Sequence, residues 1–140
     1  MSRFRNPDEA RIAELLRTVK TVAVVGLSPN PARPSYGVAA SMQRHFGWQI
    51  VPVRPLLSEV LGEKAYASLR EIPFAIDLVD VFRNPDTLAP IVDDAIAIGA
   101  PRLWLQDGVI NEAEALRAQA AGIEVIMNRC VWRDALRFLR

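Results

Sequence analysis

The chain has little of what most catalytic or metal sites need. Its 140 residues include one cysteine, Cys130, and one histidine, His45. A single cysteine excludes an intrachain disulfide, and the lack of a Cys/His cluster argues against a metal site. His45 stands near the predicted end of a helix, where histidine is common without any chemistry. We interpret Asp77 as a carboxylate at the entry of a strand and Asp80 as one at a sheet edge or in a polar network. These roles fit the two residues better than that of an acid–base pair. We therefore find no catalytic constellation.

An excess of charge and long apolar runs are also absent. The 17 basic and 16 acidic residues leave a net charge of +1, which argues against nucleic-acid binding. The longest apolar run, Val22 to Leu27, is too short to cross a bilayer, and the N-terminus has no signal-peptide core. With 51% hydrophobic residues the chain can bury a core. We expect one cytoplasmic domain over residues 1–140 that binds neither nucleic acid nor membrane.

Short β-branched runs alternate with segments of helical periodicity, a pattern typical of a parallel sheet covered by helices. The predicted strands are Val22–Val25, Ile50–Val53, Leu78–Phe82, Leu103–Gln106 and Val125–Met127. The predicted helices are Pro7–Val19 with Asn6 as its cap, Ser35–Gly47, Asn84–Gly99, Asn111–Gly122 and Trp132–Leu139. Right-handed crossovers then predict an α/β, Rossmann-like, doubly wound five-stranded parallel sheet in the order 3-2-1-4-5, with helices on both faces.

In such folds ligands bind where the strands end, so the loop after strand one is the first place to look. Gly26 allows a tight turn and a close approach of the backbone to a ligand. Ser35, Tyr36 and Gly37 begin the second helix, where N–H groups and the helix dipole favour an anion. Ser35 is also a good helix cap, but Arg33 beside it favours a phosphate site.

The loops after strands two and three add two more cations. NAD-binding domains usually carry an acid at the end of strand two, whereas this chain has Arg54 between Val53 and Pro55. NAD is therefore disfavoured, while NADP or a 3′-phosphorylated adenosine remains open. Arg83 completes a set of three arginines on adjacent loops. Phe82 beside it either stacks on a base or belongs to the core.

The loop after strand four offers weaker signals. Gln106 has an amide that can hydrogen-bond a ligand, and Gly108 lets the chain pass close to one. The alternative interpretation of Gly108 is that it forms an ordinary turn with Asp107.

Taken together, these motifs resemble the small CoA-binding proteins, which are similar to the CoA-binding N-terminal domain of the succinyl-CoA synthetase α subunit. The resemblance runs over roughly residues 20 to 130, and its stretches are VAVVGLSPNPARPSYGVA, IVPVRP, LGEKAYASLREIP, DLVDVFRNPD, IVDDAIAIGA, LWLQDGVINEAEA and AAGIEVIMNRC.

The resemblance implies a Rossmann-like fold, coenzyme A as the ligand and a part for each motif. It assigns the turn Gly26, Leu27, Ser28 and the helix start Ser35, Tyr36, Gly37 to a diphosphate cradle. It assigns Val53, Arg54, Pro55, Phe82 and Arg83 to the adenosine side, and Gln106 and Gly108 to the floor near the pantetheine arm.

Two positions depart from the family pattern. Arg54 replaces a common asparagine, so its role rests on its charge. The C-terminal motif of the family commonly reads Cys-Pro followed two or three positions later by an acidic residue, whereas this chain reads Cys130-Val131-Trp132-Arg133-Asp134, which leaves the role of the segment after Cys130 open. Cys130 itself is either a small buried side chain or a thiol placed to form a mixed disulfide with CoA.

The leading hypothesis is a domain that binds CoA or an acyl-CoA and has no evident catalysis of its own. One alternative is an NADP-dependent oxidoreductase, although the glycine fingerprint and a second domain are missing. The other is a structural or regulatory subunit whose C-terminal helix, with Trp132, Leu136 and Leu139, docks on a partner or on a second copy.

Overall fold

The computed structural model describes residues 3–139, which form a five-stranded parallel sheet with helices on both faces. The sheet strands are β1 (Thr21–Val25), β2 (Gln49–Val53), β5 (Leu78–Val81), β6 (Arg102–Leu105) and β7 (Glu124–Met127), and a small hairpin consists of β3 (Glu59–Val60) and β4 (Glu63–Lys64). The helices are α1 (Glu9–Leu16), α2 (Pro34–Phe46), α3 (Leu88–Ala97), α4 (Glu112–Ala120) and α5 (Val131–Phe138), with 3-10 turns at Leu69–Glu71 and Pro85–Thr87. The predicted α/β class is confirmed.

The predicted strand order is wrong in one respect. The sheet runs β2-β1-β5-β6-β7, so the third predicted strand pairs with β1 and not with β2. At its outer edge β2 forms an isolated bridge with Tyr66, whose N–H donates to the carbonyl of Pro52 at 2.9 Å. Because Pro52 has no N–H of its own to offer on that side, β2 is suited to an edge position.

Two layers of apolar side chains sandwich the sheet. One contains α1, α2 and α5 and includes Ile12, Met42 and Trp104; the other contains α3 and α4 and includes Val92 and Ala115. The inner face of α5 is buried within this chain through Val131 and Ala135, while Trp132 packs edge-on against Phe46. None of the helices in residues 3–139 is long and apolar enough to cross a membrane.

The predicted helix cap at Asn6 is also wrong, and the cap that was one alternative for Ser35 does not form. Asp8, not Asn6, caps α1 by accepting from the N–H of Arg11 at 2.8 Å. Asn6 instead pairs with the outer edge of β7, where its amide donates to the carbonyl of Met127 and accepts from its N–H. Ser35 lies inside α2, and its side chain does not cap the helix. Asn111, in contrast, caps α4 as predicted.

Asp80 is a carboxyl group inside the apolar core. It lies on the central strand β5, its residue is 0% exposed, and neither oxygen has a hydrogen-bond partner among the described residues. The prediction that it belongs to a sheet edge or a polar network is therefore wrong. Burial raises the pKa of Asp80 well above its ordinary value, because the charged form loses its hydration. Asp77, by contrast, accepts from the N–H groups of Lys20 and Thr21 at the strand entry.

Leu56 combines backbone strain with exposure. It follows β2 with φ of 63°, in the left-handed region, and its side chain is fully exposed. We expect Leu56→Gly to raise the free energy of unfolding by roughly 1 kcal/mol, because glycine adopts this conformation without a Cβ penalty. Urea unfolding measures the change. Leu56→Ala is the matched control, since it keeps the strain, and equal stability of the two variants would contradict the account.

Candidate functional site

The loops that leave β1, β2 and β5 meet at the carboxyl edge of the sheet and enclose a cleft of about 330 Å³. Its lining residues are Gly26, Ser28, Arg33, Pro34, Ser35, Arg54, Phe82, Arg83 and Asn84. Seven of these were singled out from the sequence as candidate ligand contacts. The lining contains three arginines and no carboxylate, so the cleft suits an anion.

The three arginines of the cleft have no acidic partner in residues 3–139. Seven other arginines in this part of the chain form ion pairs with carboxylates. Four more arginines in residues 3–139, namely Arg3, Arg5, Arg17 and Arg44, also form no ion pair there. At the carboxyl edge, three guanidinium groups without an acidic partner among the described residues line one cleft, and guanidinium groups are suited to phosphate oxygens.

Gly26 is required by the way the strands pack. Its φ is +86°, and a Cβ added there would lie 2.2 Å from the carbonyl oxygen of Phe82. The glycine predicted to approach a ligand thus makes a close approach to the backbone at the end of β5. This contact holds the loop after β1 beside the loop that carries Arg83.

The loop between β1 and α2 is ordered by its own polar groups. The Ser28 N–H donates to Ser35 Oγ at 2.9 Å, the Asn30 N–H donates to Ser28 Oγ at 3.1 Å, and the Ala32 N–H donates to Asn30 Oδ1 at 3.0 Å. Because these bonds fix the loop before any ligand arrives, little ordering entropy remains to be lost on binding.

Several residues predicted for the cradle lie away from the cleft. Leu27 is fully buried in the core, and Tyr36 is half-buried against the same layer. The N–H groups of Tyr36 and Gly37 donate to the carbonyl of Arg33 at 3.1 and 3.3 Å, as the first bonds of α2. Of the three residues assigned to this part of the cradle, Ser35, Tyr36 and Gly37, the one that lines the cleft is Ser35.

A second cavity of about 470 Å³ adjoins the cleft on the side of α2 and α5 and shares Phe82 and Arg83 with it. Gln106 lines it, and its Oε1 accepts from the N–H of Val131 at 2.9 Å, which ties β6 to the start of α5. Gly108 lies outside this lining, and its N–H donates to Asn128 Oδ1 at 2.8 Å.

Cys130 and an ion pair border this second cavity. Asp107 accepts two bonds from Arg133, each 2.9 Å, and the guanidinium lowers the pKa of the Asp107 carboxyl. Cys130 is 9% exposed, and burial raises the pKa of its thiol. The reactive thiolate is therefore scarce at neutral pH, which disfavours the mixed disulfide with a ligand thiol.

A third cavity of about 240 Å³ opens on the side of α3 and also contains Arg83. Its lining includes Val53 and Pro55, which the resemblance assigns to the adenosine side, and further residues to which the sequence analysis gave no role: Val25, Ala67, Ser68, Leu69, Thr87, Ile91 and Asp94. The available signal for Ala67, Ser68 and Leu69 was the stretch LGEKAYASLREIP, and for Ile91 and Asp94 it was IVDDAIAIGA; both stretches matched the family but received no role. Arg83 lines all three cavities and so stands at their junction.

Comparison with known proteins decides the family. The sequence profile of the CoA binding domain matches residues 20–134. The chain belongs to the CoA binding domain family. The predicted family resemblance is thereby confirmed, and the stretches quoted for it lie within the matched range.

Relatives of this CoA binding domain cover the chain nearly end to end. The uncharacterized protein YneT of Bacillus subtilis is 41% identical over 128 residues, which make up 91% of this chain and 94% of that protein. A solved structure of a hypothetical protein from Pyrococcus horikoshii OT3 superposes with a TM-score of 0.92 at 35% identity and covers 100% of both chains.

A shorter match involves a named enzyme subunit. Over 57 residues, or 41% of this chain, the sequence is 39% identical to the acetate–CoA ligase (ADP-forming) II subunit alpha of Pyrococcus furiosus. The match spans 12% of that subunit, so it relates this CoA binding domain to one part of a larger protein.

Within residues 3–139 no group of three or more His, Cys, Asp or Glu side chains is placed to hold a metal ion.

Proposed function

We propose that this chain binds coenzyme A, free or acylated, at the carboxyl edge of its sheet and acts as a binding module. The observation that carries the proposal is the cleft with three arginines and no carboxylate, at the junction of two further cavities. CoA has a diphosphate and a 3′-phosphate between an adenine base and an uncharged pantetheine arm. A central anion site with a cavity on either side matches that order of groups. The family and the relation to a CoA ligase subunit support the same ligand.

Each part of the cleft has a defined task in this proposal. Arg33 and Ser35 at the start of α2 hold the diphosphate, where the helix dipole adds to the cation. Arg54 at the end of β2 attracts the 3′-phosphate, in place of the acid that would select an unphosphorylated ribose. Arg83 at the junction contacts phosphate from the opposite loop. The pantetheine arm runs past Phe82 and Gln106 toward Cys130.

A ligand panel tests the proposal. CoA and acetyl-CoA at one hundred times their dissociation constants should stabilise the chain by roughly 2.7 kcal/mol, which appears as a raised Tm. NADP also has an adenosine with a phosphorylated ribose, at the 2′ instead of the 3′ position, but it has no pantetheine arm, so we expect a much smaller shift, and none from NAD at the same concentration. An NADP shift equal to that of CoA would favour an oxidoreductase instead.

Arginine variants test the phosphate contacts. We expect Arg33→Ala, Arg54→Ala and Arg83→Ala each to weaken CoA binding about ten-fold or more, because each removes a charge-assisted hydrogen bond. Isothermal titration calorimetry measures the affinity. Arg17→Ala is the matched control, since Arg17 is an exposed cation at the end of α1 and should leave the affinity unchanged. Unchanged affinity in all three cleft variants would contradict the proposed phosphate roles.

The preference for CoA over dephospho-CoA distinguishes the role of Arg54 from the roles of Arg33 and Arg83. Dephospho-CoA lacks only that group, so Arg54→Ala should bind CoA and dephospho-CoA almost equally. Arg33→Ala should keep the wild-type preference for CoA. Loss of the preference in Arg33→Ala alone would reassign the 3′-phosphate to Arg33.

A further inference from the structure

The second cavity has a near end, where Phe82 and Arg83 also line the cleft, and a far end of its own. The far end consists of the residues that line this cavity but not the cleft, namely Val38, Gln106, Asp107, Val109 and Cys130. A CoA with its phosphates in the cleft would extend its thiol, or the acyl group on that thiol, into the far end. This placement of the ligand rests on the proposed function.

The far end contains a carboxylate and no cation. The guanidinium of Arg133 lowers the pKa of the Asp107 carboxyl, which is therefore ionised at neutral pH. The amide of Gln106 is uncharged, and burial keeps the thiol of Cys130 neutral by raising its pKa. The one cation among the described residues that line this cavity is Arg83, at the near end, where the phosphates of the ligand would engage it.

Arg133 compensates the charge of Asp107 from outside the cavity. Its two terminal nitrogens donate to the two carboxylate oxygens of Asp107, each at 2.9 Å, but Arg133 does not line the cavity itself. The two side chains are 61% and 54% exposed, so solvent screens the ion pair. The cavity therefore meets the negative member of the pair.

The charge at the far end bears on which acyl groups fit there. We infer that Asp107 makes this site selective for CoA thioesters of uncharged acids, because it repels an acyl group that ends in a carboxylate. Such an acyl group would lose hydration on entry and find no cation in return. An acyl group that ends in a methyl has neither cost and packs against Val38 and Val109. Selection of this kind works by rejecting the wrong ligand.

Propionyl-CoA and malonyl-CoA are the matched probes for this inference. Their acyl groups have the same number of carbons and differ in the terminal group, a methyl in one and a carboxylate in the other. Isothermal titration calorimetry at low salt should show that wild type binds propionyl-CoA about ten-fold more tightly than malonyl-CoA. The ratio should decrease as salt is added, because ions screen the repulsion.

Breaking the ion pair from either side separates this role from a structural one. Asp107→Asn removes the negative charge and frees the guanidinium of Arg133, so the preference for propionyl-CoA should disappear or invert. Arg133→Gln leaves the carboxylate of Asp107 without its counter-ion, so the preference should increase. If the pair served only to hold the loop after β6 against α5, both variants would lose the same contact and shift the ratio in the same direction. A ratio measured within each variant also cancels a general loss of affinity.

Asp93→Asn is the control for these variants. It breaks the ion pair of Asp93 with Arg117, which joins α3 to α4, and Asp93 lines none of the three cavities at the carboxyl edge. Its ratio should equal that of wild type. Equal affinity of wild type for the two thioesters, or a shift of both ion-pair variants in the same direction, would overturn the inference.

Failure of this inference can be distinguished from failure of the proposed function. If wild type binds free CoA but does not distinguish the two thioesters, or binds neither of them, the role of Asp107 is wrong and the proposed function stands. If wild type binds neither free CoA nor a thioester, both proposals fail.

Discussion

Replacing Asp80 by asparagine should stabilise the protein at neutral pH, by an amount that increases with pH. The folded-state pKa of Asp80 is raised by burial, whereas the unfolded-state value is about 3.9. Above the unfolded value the folded chain must hold a proton that the unfolded chain releases. Stability contributed by this group is therefore present at acid pH and lost as the pH rises toward the raised pKa. The loss amounts to about 1.4 kcal/mol per pH unit in that window.

Urea unfolding at several pH values from 5 to 8 measures this effect. The difference in free energy of unfolding between Asp80→Asn and wild type should grow as the pH rises toward the raised pKa of Asp80. Asp80→Leu should show the same slope and a larger offset, because it also removes a polar group that has no hydrogen-bond partner. A difference that does not depend on pH would show that Asp80 is not a buried neutral acid.

Gly26→Ala should be among the most destabilising substitutions in the chain, by roughly 3 kcal/mol or more. The new Cβ would lie 2.2 Å from the Phe82 carbonyl oxygen, and the positive φ adds its own strain. Since backbone cannot yield as a flexible side chain can, the loops after β1 and β5 must separate. We therefore expect CoA affinity to fall together with stability, because Arg33 and Arg83 lie on those two loops.

Gly37→Ala supplies the control for Gly26→Ala. Gly37 lies in α2 without a positive φ, and nothing stands within 4 Å of an added Cβ. Alanine there should raise the free energy of unfolding by up to roughly 1 kcal/mol through helix propensity. Urea unfolding of the two variants should thus give opposite signs. Similar stabilities would contradict the packing described for Gly26.

The sequence was most informative where local pattern and general fold rules coincide. Unbroken apolar runs such as Val22–Val25 mark strands buried on both faces, and the carboxyl ends of parallel strands converge. This is why Arg33, Arg54 and Arg83 could be expected in one place. The strand order was harder to predict, because it depends on which edge of β2 has no neighbouring strand. Pro52 carried that information, but its effect depends on the direction in which its nitrogen points.

Other features depend on packing that no local pattern reveals. Ser68 directly precedes the 3-10 turn Leu69–Glu71 and Asp94 lies within α3, so a search confined to strand ends passes over them. Asp80 was visible as a carboxylate in an apolar strand. That its carboxylate oxygens have no hydrogen-bond partner among the described residues depends on the helices packed on the sheet, which the sequence does not reveal. Asn6 was assigned to a helix start on propensity, whereas its side chain pairs with the edge of β7 more than a hundred residues later.

Native mass spectrometry of the chain with added CoA tests the central claim most directly. The account predicts a folded complex of one chain with one CoA, which releases intact CoA on denaturation and is weakened in Arg54→Ala and Arg83→Ala but not in Arg17→Ala. A folded chain that stays empty at millimolar CoA and low salt would contradict it.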